Sequence, residues 1–312
     1  MSVSRFQYHI GHRAEALALG ALIAAFRALP PAAASALGGR IGVLAGWFMR
    51  RANRIAELNL QLCFPAMTDD ERRRLRRRMW AHFGRVMAEM PHTETLWHHN
   101  TDKQRLASVS DLRQADSISD TTPGSSAHSP LVIVGAHYGN WEIGSIGAQA
   151  VFPPTDIFYR PLNNRFADAL LERLRCGTGI AQFAKGGDGA RNALRHIKAG
   201  GTLAVLMDQK MREGIDAPFF GHPARTPYAA VLFALKTDAP IVPMVVRRQT
   251  GTRFVLDVGP RIENPRTGNR SDDIRLMVTA INAQIETWIR EAPEQWLWIH
   301  RRWPLDYGVR KK

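Results

Sequence analysis

Residues 131–142 read LVIVGAHYGNWE, an apolar run followed by a histidine, a polar turn and an acidic residue. The apolar run ends after about six residues, which is the length of a buried strand. Gly139 permits a tight turn, and Asn140 is a residue type that favours the start of a helix. The stretch therefore predicts a strand, a turn and a helix in direct succession, the repeating unit of α/β proteins.

The same alternation continues along the chain. Strands are predicted at 131–136, 155–159, 180–184, 202–207, 241–246 and 253–258. Helices are predicted at 142–151, 164–175, 188–199, 227–236 and 271–291. Strands separated by helices of this length indicate an α/β sandwich, in which a mixed central sheet is flanked by helices.

The composition is that of a folded protein with an unusual charge. The chain has 312 residues, of which 45% are hydrophobic and 22% charged, and this length allows one large or two small domains. A formal net charge of +14 favours anionic partners, namely nucleic acid, an anionic membrane or an acidic protein. Two distant cysteines, Cys63 and Cys176, predict neither a disulfide framework nor a zinc site, and they fit a reducing, cytoplasm-facing location.

The N-terminal region is apolar but interrupted. Between residues 14 and 49, Arg27 and Arg40 break the apolar runs, whereas a spanning helix needs about 20 predominantly apolar residues. Two helices are expected, roughly 14–29 and 32–50, and the pattern favours their lying in or against a membrane without crossing it. Buried helices of the domain and a tilted spanning helix remain alternatives. No cleavable signal peptide is evident.

An arginine run follows this region. Thr68 and Glu71 have the spacing of a capping box that opens a helix, and six arginines lie between Arg72 and Arg78. The run is either a solvated helix face or a surface for membrane phosphate or an acidic protein. We therefore expect an N-terminal membrane-associating helical region (1–108), a polar loop or insertion (109–130) and an α/β catalytic core (131–312), packed as one integrated domain.

His137 is the first candidate for chemistry. Ligands of open α/β sheets bind at the carboxyl ends of strands, where His137 is placed. Glu142 lies five residues on, and about one such pair is expected by chance in this composition, so the context decides. A carboxylate at one imidazole nitrogen fixes the tautomer and lets the other nitrogen take a proton from a hydroxyl. The alternative is that His137 only caps the helix.

Two further strand ends add polar side chains to the same rim. Arg160 follows the second strand and could hold a phosphate or an oxyanion. Asp208 follows the strand at 202–207 and competes with Glu142 as the partner of His137. The segment AKGGDGA (184–190) lacks a phosphate-loop ending, so a turn before a helix is favoured over an anion site at Lys185. No nucleophile elbow is present, which disfavours a covalent acyl-enzyme.

Five blocks of the sequence resemble one family. They are HYGNWE (137–142), YRPLNN (159–164), LMDQ (206–209), FFG with a downstream threonine (219–226) and PEQWLWIHRRW (293–303). In this order they resemble the late lauroyl and myristoyl transferases, the bacterial lipid A biosynthesis acyltransferases of the glycerolipid acyltransferase superfamily. NLQLCFP (59–65) is also similar, so the resemblance runs from about residue 15 to 303.

The resemblance implies a fold, a reaction and a location. It implies a glycerolipid acyltransferase-like sandwich on the cytoplasmic face of the inner membrane, with acyl carrier protein thioester as donor and a lipid A precursor as acceptor. It implies no cofactor beyond this co-substrate, and no spacing of His, Cys and Asp residues in the sequence suggests a metal site. The catalytic set carried over is His137 as base with Glu142, Arg160 and Asp208. The resemblance also places Arg301 and Arg302 near the lipid headgroup or the carrier. Together with the residues at strand ends and in the matching blocks, the predicted substrate-binding set is Tyr159, Asn163, Asn164, Lys185, Gln209, Thr226, His300, Arg301 and Arg302.

Other functions stay open from the sequence. The same motifs could acylate another membrane glycolipid, a lysophospholipid or an amino-acid lipid. A basic nucleic-acid-binding protein is disfavoured because no nucleic-acid module is present, and a silent scaffold is disfavoured by the intact His137–Glu142 spacing. Phe219, Phe220 and the helix at 227–236 are candidates either for an acyl groove or for the core.

Overall fold

The computed structural model describes residues 3–102, 130–152, 154–176 and 179–304, with side chains from Gly11 onward except those of Asp102 and Cys176. The polar loop or insertion predicted at 109–130 therefore lies outside the described residues, apart from Pro130. The helices are α1 Val3–Arg27, α2 Pro31–Phe48, α3 Arg50–Cys63, α4 Asp69–Glu89, α5 Thr93–Asn100, α6 Trp141–Val151, α7 Arg165–Cys176, α8 Gly187–Lys198, α9 Ala229–Thr237 and α10 Arg270–Glu291. The strands are β1 Thr101–Asp102, β2 Leu131–Gly135, β3 Thr155–Tyr159, β4 Gln182–Ala184, β5 Thr202–Leu206, β6 Ile215–Phe219, β7 His222–Thr226, β8 Ile241–Thr250 and β9 Arg253–Val258.

Seven strands form one sheet in the order β1-β9-β8-β2-β5-β3-β4. All neighbouring pairs are parallel except β8 and β9, which are antiparallel. The predicted mixed α/β sandwich is confirmed, and all six predicted strands are present. The hairpin of β6 and β7 was not predicted, because each of these strands contains a proline, which disfavours a strand interior.

Strand β2 lies in the middle of the core. Val132 and Val134 pack in the hydrophobic cluster that includes α9 and α10, whereas Leu131 and Ile133 pack in the second cluster with α5 and α6. Side chains alternate between the two faces of a strand, so a strand covered by helices on both faces is apolar at every position. This explains why the stretch LVIV is continuous rather than alternating.

Helices α2 and α4 cross at very short distance through glycines. A Cβ atom added to Gly84 of α4 would lie 2.1 Å from the carbonyl oxygen of Gly38, and one added to Gly42 would lie 2.2 Å from that of Trp80. No side chain fits between the two backbones at these points. The predicted capping box of Thr68 and Glu71 is present and opens α4.

The predicted N-terminal helices at 14–29 and 32–50 are present as α1 and α2, and α3 was not predicted. Helix α2 buries its small residues against α4 and exposes its large apolar ones, which are Leu37, Ile41, Leu44, Trp47 and Phe48. Within the described residues no single helix has the length and hydropathy to cross a membrane, whereas α2 and α3, bent by 93°, meet both criteria as a pair.

Candidate active site

The register of β2 against β5 brings His137 to Asp208. Gly135 pairs with Leu206 at the carboxyl ends of the two parallel strands, so the residues two places further on face each other. The Nδ1 atom of His137 lies 2.8 Å from Oδ1 of Asp208. This pair could not be chosen from the sequence, because the adjacency of β2 and β5 is a property of the strand order.

Asp208 is buried and its carboxylate is fully engaged. Its Oδ2 atom accepts hydrogen bonds from the backbone N–H of His137 at 2.9 Å and from the indole N–H of Trp296 at 2.8 Å. Burial by itself would raise the pKa of Asp208, but the neighbouring His137 and the hydrogen bonds from His137 and Trp296 hold it below the ordinary value. An ionised Asp208 accepts from Nδ1–H and leaves Nε2 of His137 with a free lone pair.

The side chain of Gln209 lies next to Nε2 of His137 and connects it to His300. The side-chain amide nitrogen of Gln209 is 3.2 Å from Nε2 of His137 and 2.9 Å from Nε2 of His300. Burial and the neighbouring His137 lower the pKa of His300, so its imidazole is neutral at pH 7 and accepts from the amide. The amide of Gln209 thus marks the position that a hydroxyl must take to reach His137.

The loop that carries His137 is held from several elements. Gly139 has a φ of 60°, and a Cβ atom there would lie 2.1 Å from the carbonyl oxygen of Val246 in β8. Asn140 accepts from the N–H of Ile143 at 3.1 Å, which caps α6 as predicted. The N–H of Leu297 donates to the carbonyl of His137 at 3.2 Å. The backbone around the imidazole is therefore closely constrained.

A buried charge network supports this loop from α4. Arg248 makes two hydrogen bonds of 2.7 Å to Glu89, and Asn140 donates to the same carboxylate at 2.7 Å. His82 lies 2.9 Å from the carbonyl oxygen of Gly139 through Nε2. Burial, followed by the charge of Arg248, lowers the pKa of His82 to about 3, so a neutral imidazole donates this bond.

Glu142 pairs with Arg175, and no hydrogen bond joins it to His137 among the described residues. Its carboxylate accepts from Nη2 and Nε of Arg175 at 2.7 and 2.9 Å, and from the indole of Trp141 at 3.2 Å. This ion pair joins α6 to α7. Of the two carboxylates that the sequence leaves open as partners of His137, Asp208 and not Glu142 is hydrogen-bonded to its imidazole.

A cavity of about 780 Å³ opens beside Gln209 and His300. Its single acidic residue is Asp216, which pairs with Arg225 at 3.1 Å. The cations that line it are Arg160, Lys210, Arg212, Arg225, Arg301 and Arg302. This excess of positive charge suits an anionic ligand. No cluster of three or more His, Cys, Asp or Glu that could hold a metal occurs among the described residues.

Behind the cavity, Arg302 contacts Thr226, which lies 76 residues away in the sequence. Arg302 is fully buried and donates to the hydroxyl of Thr226 at 2.7 Å and to the carbonyl of Arg225 at 2.9 Å. Burial lowers the pKa of Arg302 to about 10, so it remains a cation at neutral pH. Phe219 and Phe220 pack against Trp303 and lie in the core. They are therefore core residues and do not form the wall of an open groove.

Five of the predicted substrate-binding residues lie outside the cavity lining, namely Thr226, which is buried behind it, and four residues near β3 and β4. The hydroxyl of Tyr159 donates to Asp168 at 3.3 Å, and Lys185 lies 3.5 Å from Glu213. Asn164 accepts from the backbone at the start of α7 and donates to the carbonyl of His12, while Asn163 is exposed. All four belong to the β3–β4 side of the sheet, away from β2. The structure therefore gives Asn164 a capping role.

Sequence reasoning missed Trp296 and three of the cavity cations. Lys210 and Arg212 lie one and three residues after Gln209 in the sequence, so the strand-end argument that found Gln209 extends to them. Trp296 lies in the block 293–303, but its indole reaches Asp208 only because an antiparallel bridge joins it to Tyr138. No sequence pattern predicts that bridge.

Comparison with known proteins shows the family of the chain. Residues 4–304 match the family described as bacterial lipid A biosynthesis acyltransferase. The chain is 29% identical over 274 residues to a lipid A biosynthesis palmitoleoyltransferase of Escherichia coli K12, covering 85% of this chain and 83% of the relative. It is 27% identical over 272 residues to a lipid A biosynthesis lauroyltransferase of the same organism, with the same coverage of 85% and 83%. The chain is therefore an acyltransferase that belongs to the bacterial lipid A biosynthesis acyltransferase family.

Proposed function

We propose that the protein transfers a fatty acyl chain from an acyl carrier protein thioester to a hydroxyl of a lipid A precursor, on the cytoplasmic face of the inner membrane. His137 is the general base. The observation that carries the proposal is the His137–Asp208 pair beside a cationic cavity. Asp208 holds Nδ1 of His137, and Nε2 of His137 faces Gln209, which lines that cavity. The family and the names of the relatives supply the class of acceptor.

The proposed reaction is direct transfer. The acceptor hydroxyl takes the place of the Gln209 amide at Nε2, and His137 removes its proton as the oxygen attacks the thioester carbonyl. Asp208 stabilises the imidazolium that forms. The tetrahedral intermediate then collapses, the C–S bond breaks, and the imidazolium returns its proton to the leaving thiolate. An ester and the free carrier thiol result, so atoms and charges balance.

The developing oxyanion needs hydrogen-bond donors. When it gives up its bond to His137, the amide of Gln209 becomes available for this role, and Arg160 lines the same cavity. Removing one such donor typically lowers the rate by ~10²–10³. The remaining cations of the cavity suit the phosphates of the acceptor and an acidic carrier protein. Glu142 acts at a distance, because its ion pair with Arg175 fixes α6 against α7.

The decisive test is transfer by the purified full chain from acyl carrier protein thioester to lipid A precursor, with product measured by mass spectrometry. His137→Ala is expected to fold normally and to lose transfer. The matched control is His196→Ala, because His196 also pairs with an aspartate, Asp156 at 3.1 Å, but lies away from the cavity. Thermal melting of both variants separates loss of chemistry from loss of folding.

Three results would contradict the proposal. Near wild-type turnover by His137→Ala would remove the base assignment. Equal loss in both variants at unchanged melting temperature would point to a role unrelated to the cavity. Transfer by the wild type to a lysophospholipid or an amino-acid lipid, with none to the lipid A precursor, would replace the acceptor while leaving the chemistry in place.

A further inference from the structure

A second cavity lies between α2 and α4, with a volume of about 860 Å³. Four of its arginines, Arg40, Arg74, Arg77 and Arg78, are exposed, and Arg85 closes one end with a 3.0 Å hydrogen bond to Ser35. The proposed transfer reaction makes no use of this cavity. We call it the arginine groove, and its lining is Ala36, Gly39, Arg40, Val43, Met67, Glu71, Arg74, Leu75, Arg77, Arg78, Ala81 and Arg85.

The positive charge of the arginine groove is not neutralised within the described residues. None of its five arginines forms a salt bridge to a described carboxylate, whereas Arg72 and Arg76 on the other side of α4 pair with Glu57. The one acidic lining residue is Glu71, whose carboxylate accepts from the backbone and the hydroxyl of Thr68. Five cations and one engaged carboxylate leave a concave surface that suits a phosphate group.

The apolar surface of the protein is concentrated beside this groove. Of the eleven large hydrophobic side chains that are exposed in the described residues, eight lie between Leu17 and Met49. Trp47 is 78% exposed and Phe48 is 74% exposed. On α2 the exposed residues 37, 41, 44 and 48 follow helical spacing and form a stripe next to the stripe of Arg40 and Val43 that lines the groove.

From this juxtaposition we propose that the arginine groove binds the phosphate headgroup of an anionic phospholipid, while the exposed face of α2 enters the outer part of the same leaflet. An acidic protein would account for the arginines but not for the exposed Trp47 and Phe48, whereas a bilayer surface accounts for both. The site goes beyond the proposed function, with which it shares only the membrane location.

Vesicle co-sedimentation of the full chain tests this proposal, using phosphatidylcholine vesicles with and without phosphatidylglycerol. The groove variant carries Arg74→Gln, Arg77→Gln and Arg78→Gln. Because each basic residue near an anionic surface contributes about fivefold, it should lose on the order of 100-fold in binding to the anionic vesicles. The matched control removes the same charge from three exposed arginines that have carboxylate partners, Arg73→Gln, Arg191→Gln and Arg266→Gln, and should bind almost as the wild type.

Further measurements distinguish a lipid headgroup from inorganic phosphate and from acyl carrier protein as the ligand of the groove. Trp47→Ala with Phe48→Ala should weaken binding to both kinds of vesicle. Equal losses in the groove and control variants would overturn the site, as would wild-type binding that is the same with and without phosphatidylglycerol while inorganic phosphate alone binds the groove. Loss of acyl carrier protein binding with vesicle binding intact would assign the groove to the protein instead. Transfer activity in detergent micelles should stay at the wild-type level in the groove variant, so failure of the proposed reaction and failure of this site are distinguishable.

Discussion

The His137–Asp208 pair next to the cavity and the cations that line the cavity are built in opposite ways. On one side, the imidazole and the backbone N–H of His137 and the indole of Trp296 all hydrogen-bond to the carboxylate of Asp208, which is fully buried. On the other side, Arg301 and Arg212 are exposed and form no salt bridge with a described residue. The first side is held in place by hydrogen bonds within the protein, while the second consists of long, exposed cations.

This difference separates chemistry from recognition. A base that must act on a weakly acidic hydroxyl gains from a fixed orientation, because misplacement of the imidazole is costly in rate. A bulky anionic lipid gains from several flexible cations, which raise its local concentration without demanding one geometry. Variants on the hydrogen-bonded side should therefore change kcat or folding, and variants on the exposed side should change KM and its dependence on salt.

The largest effect is expected at Asp208. Asp208→Asn replaces the carboxylate at Nδ1 with an amide, which favours the wrong tautomer of His137 and leaves the imidazolium without its counter-charge. In Ser-His-Asp triads, where the carboxylate has the same role toward the histidine, the change lowers kcat by about 10⁴. Steady-state kinetics of acyl transfer measure it, with KM for both substrates nearly unchanged.

Glu142→Gln is the matched carboxylate variant for that experiment. It leaves the His137–Asp208 pair intact and breaks the ion pair with Arg175, so its effect should fall mainly on melting temperature. If Glu142→Gln lowered kcat as much as Asp208→Asn at unchanged stability, Glu142 and not Asp208 would be the functional carboxylate.

A second, smaller effect, on the free energy of unfolding, is expected from the Glu89–Arg248 pair that supports the loop carrying His137. Glu89→Gln leaves the buried Arg248 without its counter-charge, and breaking a buried pair in this way typically costs about 3–5 kcal/mol of folding free energy. Denaturant unfolding should show a lower midpoint. Arg76→Gln removes one partner of the more exposed pair with Glu57 and should cost under about 1 kcal/mol. Equal losses in the two variants would mean that the buried network does not hold the loop.

The same contrast shows which features of the fold and the site can be predicted from the sequence. The strands, most helices and the placement of His137 could be predicted because apolar runs, Gly139 and Asn140 act locally. The exposed cations after Gln209 could have been found by the same local argument. The partner of His137 could not, because Glu142 is near in sequence while Asp208 is near only through the β2–β5 register. Trp296 was missed for the same reason, since its contact with Asp208 spans 88 residues.

The smallest effect is expected on the exposed side of the cavity. Arg301→Gln with Arg212→Gln removes two solvent-screened cations, so KM for the acceptor should rise by about tenfold or less while kcat is kept. The increase should shrink as salt is added, because added ions already screen these charges in the wild type. Arg266→Gln, an exposed arginine paired with Asp238 on another surface, is the control and should leave both constants unchanged. A fall in kcat that persists at high salt would place these arginines with the base in the reacting centre, and the division between a hydrogen-bonded and an exposed side would no longer hold.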